Sequence, residues 1–331
     1  MGNPQRRQTP LPDSFATLTA HALTGVPTGG LSQTAGFSLA GRFLGNNNLS
    51  SRQAIDLLVA AAEFNRRHPL RSGNKLHLPT SGELIITGDL HNHQRNFSRL
   101  KSFANLANFP ERHVILQEMI HGGPLGADGE DTSLQMILEA CDWALQFPGQ
   151  IHFLLANHDL AQITGVAIMK DGYDLTERFQ RAYGIWYGAR GIAVAAAFRD
   201  FVVSMPLAAI SATGLFLSHS LPSDSDMQGF DPSILQRDLT EPDYQRNGSV
   251  YKLLWGRNQT QALLDQLSKI WWADIYICGH QAQDGGHGSI GRNMLIIDSS
   301  HNHGVLVPML LERQYTLPDL IQRLVPLASI E

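Results

Sequence analysis

From about residue 82 onward, two hydrophobic periodicities alternate along the chain. Short runs rich in Val, Ile and Leu each end in a polar cluster: "ELIITGDLHNH", "HVILQEMIHGG", "IHFLLANHDL", "GLFLSHS", "DIYICGHQ" and "NMLIIDSSHNHG". Runs of this length that stop at turn-forming residues predict buried strands. Between several of them, apolar residues recur at helical spacing, in "NFSRLKSFANLA", "TSLQMILEACDWALQF", "DLTERFQRAYGIWYG" and "QTQALLDQLSKIWW". Strand alternating with helix predicts an α/β domain with much parallel sheet. Upstream, "LSSRQAIDLLVAAAEFNRRHP" carries a Ser cap, helical spacing and a basic end followed by Pro, which predicts an amphipathic helix. Residues 1 to about 48 are rich in Thr, Gly, Pro and Asn without periodicity and read as an extended arm. The expected division is an N-terminal extension over 1–80, arm plus helix, and one catalytic-size domain over 81–331.

Composition narrows the class. The chain has 331 residues, 43% hydrophobic and 17% charged, as in an ordinary soluble globular protein. A net charge of −5, with no basic cluster interleaved with aromatics, argues against a nucleic-acid partner. Cys141 and Cys278 stand far apart with no neighbour at metal-ligand spacing, which excludes a disulfide framework and suits a reducing compartment. The opening "MGNPQRRQTPLPDSF" has basic residues but no apolar segment after them, so no secretory signal is expected. No uncharged apolar run reaches the roughly 18 residues of a membrane span. The expectation is a cytoplasmic protein without a membrane partner.

The chemistry sits just after the strands: Asp89 and His91; Glu118 and His121; Asn157, His158 and Asp159; His219; His280; Asp298, His301 and His303. Carboxylates, imidazoles and amide carbonyls are ligands for divalent metals. A lone His is more often a hydrogen-bonded structural residue. Ligand types at one strand end after another argue instead for a shared metal site, because the C-terminal strand ends of an open α/β sheet meet at one crevice.

These residues resemble a known family, the calcineurin-like metallophosphoesterases. "GDLHNH" is similar to their Gly-Asp-x-His opening, and "ANHD" to Gly-Asn-His-Glu/Asp with Ala156 for the Gly. "LSHSLPS" sits where the phosphoprotein phosphatases have His-Gly-Gly-Leu, and "ICGHQAQDGG" resembles their second histidine segment. "FRDFVVSMPLAAI" and "LLWGR" also resemble segments of that branch, and the similarity spans roughly residues 83 to 300 in family order. The resemblance implies a four-layer αββα sandwich and two divalent metal ions (manganese, iron or zinc). Asp89 and His91 would hold the first and Asn157, His219 and His280 the second, with Glu118 at the bridging position. His158 falls on the proton donor to the leaving group. The implied reaction is hydrolysis of a phosphorylated substrate by in-line attack of a metal-bridging hydroxide. Ala282 stands where many phosphodiesterase relatives have a second His, which places the pattern nearer the phosphoprotein phosphatase branch.

The second element departs from the family, which reads Gly-Asp-x-x-Asp-Arg-Gly where this chain has Gln117, Glu118, Met119, Ile120, His121, Gly122 and Gly123. Glu118 keeps the bridging charge with one more methylene; the bland alternative is a solvated strand-end acid. His121 replaces the carboxylate that orients the proton-donating His, and Asp159 is a candidate substitute. Gly122 replaces a phosphate-gripping arginine. Arg257 is the candidate clamp, against a structural ion pair, with Arg95 a weaker one. His301 and His303 either enter the site or line the crevice, His93 and His287 are expected at the surface, and Trp255, Trp271 and Trp272 in the core. The expected function is a dinuclear metal-dependent phosphomonoesterase. A dinucleoside polyphosphate hydrolase is the alternative substrate class, and a catalytically weak homologue that binds a phosphorylated ligand or a protein is the alternative function.

Overall fold

The computed structural model describes residues 49–331, all within one compact unit. The arm expected over residues 1–48 lies outside the described residues.

In chain order the strands are β1 (Arg71–Ser72), β2 (Lys75–His77), β3 (Glu83–Asp89), β4 (Arg112–Gln117), β5 (Ile151–Leu154), β6 (Met169–Lys170), β7 (Tyr173–Asp174), β8 (Ala208–Ile210), β9 (Leu215–Ser218), β10 (Ile275–Cys278), β11 (His287–Ile290), β12 (Met294–Ile297), β13 (Val305–Leu310) and β14 (Val325–Pro326). The α-helices are α1 (Ser51–Arg67), α2 (Gln94–Ala104), α3 (Leu134–Gln146), α4 (Asn157–Thr164), α5 (Leu175–Tyr187), α6 (Gly191–Ser204), α7 (Glu241–Tyr244), α8 (Ser249–Trp255), α9 (Gln261–Trp271) and α10 (Leu317–Gln322).

A five-stranded sheet runs β14-β13-β3-β4-β5, and a seven-stranded sheet runs β1-β2-β8-β9-β10-β12-β11. Their centres, β3-β4-β5 and β9-β10-β12, are parallel, as the strand–helix alternation predicts. Successive residues of each central strand split between two cores, because side chains alternate faces. Leu84, Ile86, Ile115, Leu215, Leu217, Ile275, Ile277, Leu295 and Ile297 form the layer between the sheets. Ile85, Val114, Leu116, Phe216, Tyr276, Cys278, Met294 and Ile296 face the helices. Both faces are dry, so the strands read as unbroken apolar runs. The result is the four-layer αββα sandwich.

The N-terminal helix expected from its amphipathic spacing packs on the domain. Helix α1 buries Ala54, Leu57, Leu58, Ala61, Ala62 and Asn65, a stripe at helical spacing, against α3 and α6. Strand β2 pairs with β8 inside the seven-stranded sheet. Residues 51–77 are therefore part of the sandwich. Trp272 differs from expectation: it is 88% exposed, in left-handed backbone at the C-cap of α9, while Trp271 takes the inner position, stacked on Phe216 with centroids 4.5 Å apart. The helix ends between the two, so only the first ring turns inward.

The two sheets touch where the chemistry is needed. Asp89 and Asp298 form a parallel bridge across the sheets, and the Ser299 amide donates to the Asp89 carbonyl at 3.0 Å. A Cβ on residue 88 would lie 1.9 Å from the Ile297 carbonyl oxygen, so this approach requires Gly88.

At the opposite, N-terminal ends of β4 and β5 lies a histidine cluster that no site uses. His113 Nδ1 is 3.1 Å from His152 Nε2, and the His68 and His152 rings meet edge-on at 5.0 Å. Burial, then His113 and Arg71, lowers His68 to about 4. Burial, then His68 and His113, holds His152 well below the usual imidazole range. Both are neutral in the fold, whereas the unfolded chain takes up protons near the ordinary imidazole value of 6.5. Their stabilisation is thus complete above pH 6.5 and is lost as pH falls from there toward 4. Urea unfolding should lose about 2–3 kcal/mol between pH 7.5 and 5.5 through these two histidines, and His68→Gln should flatten the pH dependence; an identical drop in the variant would rule the cluster out as its source.

Candidate metal centre

The residues named at the strand ends converge. Asp89 ends β3, Glu118 follows β4, Asn157 opens α4 after β5, His219 follows β9 and His280 follows β10. All lie at C-terminal strand ends where the sheets meet. His91, Asn92, Glu118, His121 and His280 all have positive φ, between 41° and 67°. Such backbone costs about 1–3 kcal/mol per residue and persists only where the surroundings over-determine it. Here the Glu118 carbonyl accepts from the amides of Leu90 (3.0 Å) and His91 (2.8 Å), which ties the second strand's turn onto the first.

Gln117 decides which nitrogen of His219 faces the centre. Its Nε2 donates to the Thr87 carbonyl at 2.8 Å, which directs Oε1 to His219 Nδ1 at 3.1 Å. The ring proton therefore sits on Nδ1, and Nε2 presents a lone pair. That lone pair lies 2.6 Å from Asn157 Oδ1 and 2.8 Å from Glu118 Oε2. His280 Nδ1 approaches the same Asn157 oxygen at 3.0 Å. Glu118 Oε2 has no hydrogen-bond donor despite being buried. Buried electron-pair donors held this close together are an arrangement that a cation resolves.

A second group adjoins it. Asp89 Oδ2 lies 4.0 Å from His91 Nε2, while Asp89 Oδ1 accepts from the His280 amide at 2.9 Å. His91 Nδ1 donates to the Ile120 carbonyl at 2.8 Å, which frees Nε2 for the centre. Donor atoms of Asp89, Glu118 and His219 lie within 4.8 Å of one another, as do those of His91, Glu118 and His158. Glu118 is common to both groups. Each group could hold a divalent ion, and Asn157 and His280 bring further donor atoms to the one that contains His219.

Burial governs the electrostatics. It raises Asp89, and raises Glu118 well above the carboxylate range, with Asp89 adding to the effect on Glu118. Burial lowers His219 to about 4 and holds His280 well below the usual imidazole range, so both imidazoles carry free electron pairs at neutral pH. Metal ions reverse this penalty for the carboxylates.

Around the donors, His158 has its ring 4.9 Å from that of His91, and its amide donates to Glu118 Oε1 at 3.2 Å. Its Nδ1 lies 3.0 Å from His121 Nδ1. Asp159, the candidate orienter, instead accepts from the Ala156 amide at 3.2 Å and caps its own helix. Arg257 is exposed at the rim just after α8, near enough for Asp89 and Glu118 to act on its guanidinium, and it forms no hydrogen bond or ion pair with any described residue. Arg95 is exposed in the first turn of α2. At Gly122 a Cβ would lie 2.4 Å from the His91 carbonyl oxygen, so no arginine can stand there.

Asp298 spends its oxygens on Gln283 and Ser300, His301 reaches the Gln283 carbonyl at 2.9 Å, and His303 reaches that of Asp284 at 3.1 Å. These residues brace loops beside the centre and do not join the donor knot. His287 is exposed, and His93 is half-buried, its Nδ1 accepting from the Asn96 amide as the cap of α2. Trp255 is a half-buried wall, 6.2 Å from the His280 ring. The roles of Gln117 and Gln162 were not legible; only Gln162, four residues after His158 on one helix, carried a spacing signal.

The comparisons agree with this architecture. No family model matches the chain, and no curated protein does. Among solved structures, a protein serine/threonine phosphatase from Saccharomyces cerevisiae with similarity to human phosphatase PP5 superposes with TM-score 0.61 at 15% identity, covering 85% of this chain and 94% of that one. The chain has the metallophosphoesterase fold. A cold-active protein-tyrosine phosphatase of a psychrophilic Shewanella matches with TM-score 0.52 at 14% identity, over 77% of this chain and 84% of that one. Among the described residues, no helix is long and apolar enough to cross a membrane.

Replacing Gln117 by Leu keeps its bulk and removes the acceptor that holds His219. Manganese affinity, measured by titration calorimetry, should fall roughly 10–100-fold while far-ultraviolet circular dichroism is unchanged. Unchanged affinity would mean that Gln117 does not set the ligand tautomer.

Proposed function

We propose that this protein is a dinuclear metal-dependent phosphoesterase that hydrolyses a phosphomonoester, on a phosphoprotein or a small molecule. The observation that carries the reading is Glu118, whose undonated Oε2 sits 2.8 Å from His219 Nε2 and which belongs to both donor groups. Two divalent ions, when bound, would lower the pKa of a water and neutralise phosphate oxygens.

The chain's own residues divide the remaining work. Neutral His219 and His280 and the amide of Asn157 leave one side of the centre uncharged, so the bound ions keep excess positive charge for an anionic substrate. Arg257, with no described partner, is the guanidinium available to grip phosphate oxygens at the rim. His158, with 17% of its side chain exposed, borders the centre on the Glu118 side and supplies the proton to the departing oxygen. A phosphomonoester leaves more charge on the phosphoryl group than a diester does, which matches a centre with a free arginine. Ala282, where a second His would serve phosphodiester hydrolysis in relatives, is exposed.

Purified protein supplied with manganese should hold two ions per chain and hydrolyse p-nitrophenyl phosphate, with activity lost to EDTA and recovered with metal. Glu118→Ala should lose both metal and turnover, and Arg257→Ala should raise KM about 10-fold with metal content unchanged, as expected for one charge-assisted contact. Fewer than one ion per chain with no turnover above background would sink the reading. Two ions without turnover would favour a phosphate-binding homologue.

A further inference from the structure

His158 does not stand alone. Its Nδ1 lies 3.0 Å from His121 Nδ1, and on the far side of that ring His121 Nε2 lies 2.8 Å from Gln162 Oε1. Gln162 is one helical turn beyond His158 on α4, so the chain of contacts closes on the helix that carries the donor histidine. His121 is 2% exposed; its amide donates to Ser133 Oγ at 3.1 Å, and its ring packs edge-on against Phe179 at 5.7 Å. Its backbone has φ 64°, a conformation that a side chain occupies only when held there.

The protons along this line follow from the acceptor at its end. The Gln162 carbonyl oxygen can only accept, so His121 carries its proton on Nε2 and offers a lone pair at Nδ1. His158 then donates from Nδ1, which turns its Nε2 away from His121. We propose that His121 and Gln162 are positioning residues: they lock His158 in the Nδ1–H tautomer, so that the Nε2 lone pair takes up a proton from solvent and passes it to the departing oxygen while Nδ1–H stays donated to His121. This rests on the phosphoesterase reading for the purpose of the lock, although the lock itself is a property of the fold. Among the described residues, no carboxylate lies against the His158 ring closer than Glu118 Oε1, at 3.7 Å.

The chemical consequence is selective. Donation to the departing oxygen matters most for an alkyl ester, whose alkoxide leaves poorly, and least for a nitrophenolate, which needs no proton. Removing the lock should therefore cost activity in proportion to how badly the leaving group needs its proton.

The test uses the full chain loaded with zinc, ¹⁵N-labelled at histidine, with His158 assigned by the signals missing from His158→Gln. His121→Gly suits the left-handed backbone and removes the ring, while His121→Asp suits it too and restores an acceptor near Nδ1. In the wild type the neutral His158 ring should be protonated at Nδ1; His121→Gly should abolish that preference and His121→Asp should restore it. Gln162→Leu should weaken it. In steady-state assays His121→Gly should lower kcat on β-glycerophosphate on the order of 100-fold, and on p-nitrophenyl phosphate only a few-fold, with KM and metal content unchanged. A wild-type His158 protonated at Nε2, or a loss in His121→Gly that is equal for both esters, overturns the proposal while leaving the phosphoesterase reading intact. If the wild type hydrolyses neither ester, that reading fails, and the ring spectra alone decide the positioning chain.

Discussion

The molecule is organised around one electrostatic conflict: electron-pair donors of Glu118, Asn157 and His219 are held 2.6–2.8 Å apart, in a place from which water is largely excluded. The one proton on the His219 ring is committed to Gln117 and does not relieve it. Unpaired buried acceptors cost free energy wherever they occur, and here they persist because the two sheets leave them nowhere else to go. The contact of Gly88 with Ile297 draws the strand ends together and fixes how closely the donors stand.

That constraint explains where the strain lies. Left-handed backbone at His91, Glu118 and His280 would be eliminated from an ordinary loop, yet each turn aims a side chain at the same centre, and the one at His121 sets its ring against His158 beside it. The apolar layer between the sheets and the helices outside them supply the stability that tolerates it. The turn at Glu118 is pinned through its own carbonyl to the amides of Leu90 and His91.

Much of this was legible in the sequence. Doubly buried strands announce themselves as unbroken apolar runs, and ligand types at their ends point to one crevice. What stayed hidden depended on contacts between distant segments. Helix α1 is amphipathic in any reading, but only its packing on α3 and α6 makes it part of the sandwich. Trp272 differs from Trp271 by one position at a helix end, and the direction of a terminal residue is not written in periodicity. Asp159 is adjacent to His158, yet successive residues on a helix point apart, and the partner of His158 is His121, 37 positions earlier. Gln117 reads as a lost glycine until the Thr87 carbonyl shows which end of its amide meets His219.

The central claim is that Glu118 lies between two cations. Anomalous diffraction at the manganese edge, from crystals of the full chain grown with that metal, addresses it directly. The account predicts two peaks about 3.5–4 Å apart, with Glu118 touching both, Asp89 and His91 on one side, and Asn157, His219 and His280 on the other. A single peak, or a pair that Glu118 does not join, would contradict it.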